Sequence, residues 1–165
     1  MVGNFSIRSG VKDMKDNYAE YMKLALSLAE CASELGEVPV GAVIVKDGEV
    51  ISSAHNLREN GGGATAHAEL LAIEKACEKL GTWRLSGCEL YVTLEPCPMC
   101  AGAIINSRID KVIFGAKDAN GGAFGSLIDL NSYPLGHKPK IESGILENEC
   151  REILREFFEK KRKEK

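Results

Sequence analysis

Between Leu90 and Phe114 the chain reads as strand, short helix, strand: the apolar run Leu90–Leu94, a helical stretch from Met99 to Ser107, and a second strand from Lys111. Two strands joined through a helix pair parallel by a right-handed crossover, and a parallel pair needs helices over its faces. Upstream, the run Val40–Val45, the turn signal Lys46-Asp47-Gly48 and Val50-Ile51 read as an antiparallel hairpin. Together these predict an α/β domain whose helices cover a mixed sheet.

The remaining segments fit that plan. From Asn17 to Leu35 apolar residues recur at helical spacing, with Tyr21, Leu24, Leu28, Cys31 and Leu35 as the expected buried stripe and Gly36 as a stop. Asn60-Gly61-Gly62-Gly63 reads as a loop. Thr65 can cap a helix running to about Leu80, with Leu70, Ile73, Cys77 and Leu80 inward and Gly81 beyond its end. A Gly-rich loop from Gly115 to Ser126, a strand near Lys140–Ile145 and a helix from about Glu147 complete the chain. At 165 residues it fits one domain, expected over 17–165 with 1–16 as a variable extension.

No apolar run is long enough to span a bilayer, and the first residues lack the apolar segment of a secretory signal, so a cytoplasmic protein is expected. In that reducing setting closely spaced cysteines read as metal-binding or catalytic. Of six cysteines only Cys97 and Cys100 are close; Cys31, Cys77, Cys88 and Cys150 stand in apolar patterns and read as small buried hydrophobes. A formal charge of −3 argues against general coating of nucleic acid. The basic end Lys160, Lys161, Arg162, Lys163 and Lys165 is compatible with an RNA partner, and equally with a solvated helix end complementing the macrodipole.

Two fragments carry chemistry: Thr65-Ala66-His67-Ala68-Glu69, and Glu95-Pro96-Cys97-Pro98-Met99-Cys100. Catalytic zinc takes three protein ligands and keeps a fourth position for water, and His67, Cys97 and Cys100 form such a set. Residues three apart at a helix start share a face, the helix N-terminus favours thiolate, and the prolines are tolerated there because first-turn N–H groups have no intrahelical acceptor. Glu69, two residues after His67, is not needed as a ligand and can shuttle protons between an activated water and an amidine-type ring. The pattern His-x-Glu with Pro-Cys-x-x-Cys marks the zinc nucleobase deaminases.

Each fragment alone has a plainer reading. A Cys-x-x-Cys can be a redox dithiol or half of a structural zinc knuckle, but the first needs neither His67 nor Glu69 and the second needs a fourth ligand that is not apparent. His55 and His137 read as ordinary polar residues. The zinc chemistry alone also allows a deaminase of a free base or nucleotide such as guanine, cytosine or dCMP, and a noncatalytic zinc-binding RNA module leaves only Glu69 unexplained.

The chain resembles the bacterial tRNA-specific adenosine deaminases of the cytidine-deaminase-like superfamily. The matching blocks are Glu37–Val43, Thr65–Glu69, Tyr91–Ala103, Ser107–Ile109, Phe114–Asp118, Gly125–Leu127 and Gly144–Leu146. The resemblance implies a three-layer α/β/α domain with a mixed sheet of about five strands. It implies hydrolytic conversion of adenosine to inosine at the wobble position of a tRNA, tRNA-Arg being the expected substrate, by a homodimer holding one zinc per chain. It also implies His67, Cys97 and Cys100 as ligands, Glu69 as proton shuttle, Asn56 as a contact to the target base, and Asp118 beside the substrate nucleotide. Taken alone, Asn56 reads as a turn residue and Asp118 as a cap on its own loop. Where that family usually carries Asp-Pro before Thr-Ala-His-Ala-Glu, this chain has Gly63-Ala64.

Overall fold

A computed structural model describes the backbone of residues 7–164 and the side chains of residues 17–164. Residues 1–6, and every side chain of the extension expected at 1–16, lie outside the described residues. Helix α1 (Ile7–Glu34) leads into strands β1 (Gly41–Lys46) and β2 (Glu49–His55). Helix α2 (Ala68–Leu80), strand β3 (Cys88–Leu94), helix α3 (Pro98–Asn106) and strand β4 (Lys111–Ala116) follow, then strand β5 (Lys140–Ser143) and helix α4 (Glu147–Lys163).

The sheet order is β2-β1-β3-β4-β5. Strand β1 pairs antiparallel with both β2 and β3, while β3–β4 and β4–β5 are parallel. The hairpin turns on Asp47-Gly48, both at positive φ (51° and 75°), the conformation whose twist suits a two-residue connection. Side chains alternate across the sheet. Ala42, Ile44, Leu90, Val92, Val112 and Phe114 pack with α2 and α3, whereas Val43, Val45, Tyr91 and Ile113 pack with α1 and with Cys150 of α4. This is the expected three-layer α/β/α arrangement.

The expected stripe on α1 is displaced. Tyr18, Met22, Ala25, Ala29 and Ala32 are buried, while Leu24 and Leu35 are 47% and 50% exposed and Cys31 points out of the core. The cause is a close approach: a Cβ at Gly41 would lie 1.9 Å from the Ala25 carbonyl oxygen and 2.9 Å from the Ala29 nitrogen. The helix backbone rests on β1, so the inward face is built of small residues. Helix α2 repeats the lesson, with Ala68, Ala72, Ile73 and Ala76 inward and Cys77 and Leu80 at the margin.

Helix α2 also begins later than Thr65 suggests. His67 is the residue before its first turn, and the Ala68 N–H donates to Asn56 Oδ1 at 2.8 Å, so the cap comes from the end of β2. Gly81, in the left-handed conformation, ends the helix as expected. Gly63 has φ 86° and ψ −176°, a region that essentially only glycine occupies, which accounts for glycine where the resembling family carries Asp.

Candidate active site

Two helix N-termini meet beside β3. His67 and Cys97 each stand in extended conformation immediately before a helix, α2 and α3 respectively, and Cys100 lies in the first turn of α3. The sulfur atoms of Cys97 and Cys100 lie 3.6 and 3.4 Å from His67 Nδ1, and the three ligating atoms all fall within 4.8 Å of one another. In a tetrahedral zinc site with ordinary Zn–S and Zn–N bonds, neighbouring sulfur and nitrogen ligands stand about 3.6 Å apart. The donor set and its spacing therefore fit zinc, with Nδ1 as the imidazole ligand atom.

Glu69 is the second residue of α2 and is 4% exposed. It lines a cavity of about 740 Å³ together with His67, Cys97, Asn56 and Asp118. Leu35, Glu37 and Arg58–Asn60 form another side of that cavity, and Phe157, Phe158 and Lys161 of α4 reach it from the far end of the chain. Burial pushes the Glu69 carboxyl up from its ordinary pKa, with the Cys97 charge adding to the effect. A hydrogen bond from the Cys100 thiol and, against burial, others from His67 and the Cys100 amide bring Cys97 down to about 4. Cys100 moves up, through that same contact with Cys97 and through burial. His67 rises because its ring hydrogen-bonds to Cys97, which outweighs burial.

Asn56 is 6% exposed and its amide is partly committed: Nδ2 donates to the Val38 carbonyl at 3.0 Å and Oδ1 accepts from Ala68. One N–H and one lone pair stay free of these bonds. Asp118 Oδ1 accepts from the N–H groups of Asn120 and Gly121, as a residue turning its own loop does. His55 and His137 behave as ordinary polar groups, His137 Nε2 donating to the Ile109 carbonyl at 2.7 Å.

Two buried carboxylates escaped the sequence reading. Glu37 is 1% exposed, and its Oε1 accepts from the N–H groups of Glu59 and Asn60 and from the Asn60 side chain. Burial raises its pKa, but these bonds, the Asn60 side chain foremost, outweigh it and hold the carboxyl below its ordinary value. Glu95, beside the ligand turn, accepts from Asp118, Phe124 and Ser126. The available signal was a carboxylate set in an otherwise apolar strand end or strand entry, where it must find donors.

The profile of the MafB19-like deaminases matches residues 16–162. The chain belongs to the deaminase family. Among curated relatives, this deaminase is 54% identical to the tRNA-specific adenosine deaminase of Bacillus subtilis, over 88% of its own length and 91% of the relative's. A solved tRNA:A34 deaminase, studied for A-to-I editing at the wobble position, superposes with a TM-score of 0.80 at 48% identity, covering 82% of this deaminase and 99% of that chain. The guanine deaminase of Bacillus subtilis superposes over 59% of this deaminase and 63% of its own chain, with a TM-score of 0.57 and 44% identity.

Proposed function

We propose that this deaminase converts adenosine to inosine at the wobble position of tRNA, with tRNA-Arg as substrate, and that residues 17–165 act as one catalytic domain. The observation that carries the reading is the grouping of three zinc donors, two of which, His67 and Cys97, line one cavity with the buried carboxylate Glu69, in a chain similar to a tRNA-specific adenosine deaminase over 88% of its length. The guanine deaminase likeness covers much less of either chain.

His67, Cys97 and Cys100 would hold zinc, which when bound would supply the Lewis acidity that makes a water reactive near neutral pH. Glu69 moves the protons. It takes one from the water as oxygen adds to C6 of adenine and delivers it to N1, then takes a second from the new C6 hydroxyl and delivers it to the departing amine. The C6–N bond breaks, ammonia leaves, and a C6 carbonyl forms. The free N–H and lone pair of Asn56 hold the flipped base, and Asp118 lines the cavity beside the nucleotide. The terminal cations of α4, led by Lys161 at the cavity, contact phosphates of the anticodon stem-loop.

The outward side of α3 carries Met99, Gly102 and Asn106, and a Cβ at Gly102 would meet nothing within 4 Å. Leu127, Ile128, Tyr133 and Leu135 are exposed on the segment that follows β4. These surfaces support a homodimer. Among the described residues no helix is long and apolar enough to cross a membrane, and a tRNA substrate is consistent with work in the cytoplasm. The deciding experiment incubates the zinc-loaded protein with guanine, cytidine, adenosine and a tRNA-Arg anticodon stem-loop. Inosine in the stem-loop, with no ammonia from the small molecules, is the expected result; the reverse would replace this function with that of a free-base deaminase.

A further inference from the structure

Glu95 is 2% exposed, and its backbone N–H donates to the Ala116 carbonyl, which places it where β3 gives way to the ligand turn. Its side chain accepts four hydrogen bonds, two on each oxygen. Oε1 takes the Asp118 N–H at 3.2 Å and the Ser126 hydroxyl, and Oε2 takes the N–H groups of Phe124 and Ser126 at 3.1 and 3.2 Å. The chain crosses this carboxylate at Gly122, where a Cβ would lie 2.3 Å from the carboxyl carbon and from Oε2. Glycine is required there by contact. With four acceptor positions filled, Glu95 has none left for a proton relay, and it lies outside the His67, Cys97 and Cys100 donor group.

We infer that Glu95 is a positioning residue that holds the Asp118–Ser126 strip and, through it, sets Asp118 at the cavity wall, and so governs how the RNA is placed more than how its amine is expelled. The inference rests on the reading of this cavity as the nucleotide site. A carboxylate is the only protein side chain with two oxygens for two pairs of donors. An amide offers one oxygen, so E95Q sets an NH2 against N–H donors whichever way it is turned.

The test measures E95Q, G122A and Ser126→Ala in the zinc-loaded, full-length protein. For E95Q the expected result is a KM for the anticodon stem-loop raised roughly 10- to 100-fold, kcat changed much less, zinc content unchanged, and faster hydrogen exchange at the amides of Phe124 and Ser126. G122A, which keeps the carboxylate but sets a methyl group against it, should show the same KM-weighted loss. Ser126→Ala, which deletes only the hydroxyl donor, should move KM in the same direction by less, and keeps the proposal open to refutation if E95Q does not fold. Unchanged KM and unchanged exchange in E95Q, or a loss confined to kcat, would overturn the inference. Loss of zinc from E95Q would also overturn it, by making Glu95 a support of the ligand turn. Wild-type protein inactive on the stem-loop refutes the proposed function instead, while the exchange at Phe124 and Ser126 still reports on the clamp.

Discussion

His67 and Cys97 keep their places because each stands at the mouth of a helix whose packing on the sheet is fixed by alanines, isoleucine and valine. The sides of the same cavity are held otherwise. The Arg58–Asn60 turn hangs on Glu37 and the Asp118–Ser126 strip on Glu95, two buried carboxylates that gather backbone N–H groups which no helix or strand satisfies. The centre thus borrows rigidity from regular structure, while the rim is built from polar bonds that must all be made together. Replacing centre residues should end the reaction, and replacing rim residues should change what is placed in the cavity and how well.

The largest effect tests the centre as a metal site. Cys100→Ala should lose both zinc and deamination, so elemental analysis finding about one zinc per chain in wild type and as much in the variant would contradict the ligand assignment. Next in size is E69Q, which keeps the shape of the side chain but can carry no proton. Deamination should fall by several orders of magnitude while zinc content and stem-loop binding stay near wild type. Single-turnover rates alongside metal analysis separate the two variants, and near-normal inosine formation in E69Q would remove Glu69 from the mechanism.

Smaller effects sharpen the contrast within the rim. All three donors to Glu37 use a single oxygen, which an amide also provides, so E37Q should retain KM within a few fold where E95Q does not. The acid limb separates Glu37 further. Its folded pKa lies below its unfolded value of about 4.3, so it stabilises the fold above that value and the contribution is lost as pH falls through the folded pKa. Urea unfolding of E37Q below about pH 4.5 should accordingly show a shallower loss of stability than wild type. The smallest effect belongs to the cations of α4. Neutralising Lys160, Lys161, Arg162 and Lys163 should weaken tRNA binding and reduce the salt slope of log K by a few units at most, with zinc retained; an unchanged slope leaves them a solvated helix end.

What the sequence disclosed follows the same division. The strands, and the pairing of β1 with β2 and of β3 with β4, were legible because continuous apolar runs and the Asp47-Gly48 turn are local signals, whereas the pairings of β1 with β3 and of β4 with β5 are not local. The grouping of His67, Cys97 and Cys100 was legible because such donors are uncommon residues at helix starts. The stripe on α1 was not, because hydrophobicity draws attention to Leu24 and Leu35, whereas the close seat on Gly41 demands Ala25 and Ala29. Nor could Thr65 be told from Asn56 as the cap of α2, since the partner lies twelve residues from the N–H it accepts. Nothing local in the sequence gives Glu95 a role, because its four donors become neighbours only once β4 and the loop after it have folded over the Cys97 turn.

Phe157, Phe158 and Lys161 belong to the last helix, yet they line the cavity that opens at Leu35 and His67. The consequence is one of timing. Until α4, the last element to leave the ribosome, has folded onto β4, the cavity is open on the side that Phe157, Phe158 and Lys161 close. Under the proposed function, the complete grip on RNA is then the last part of the site to form, because it waits on Phe157, Phe158 and Lys161.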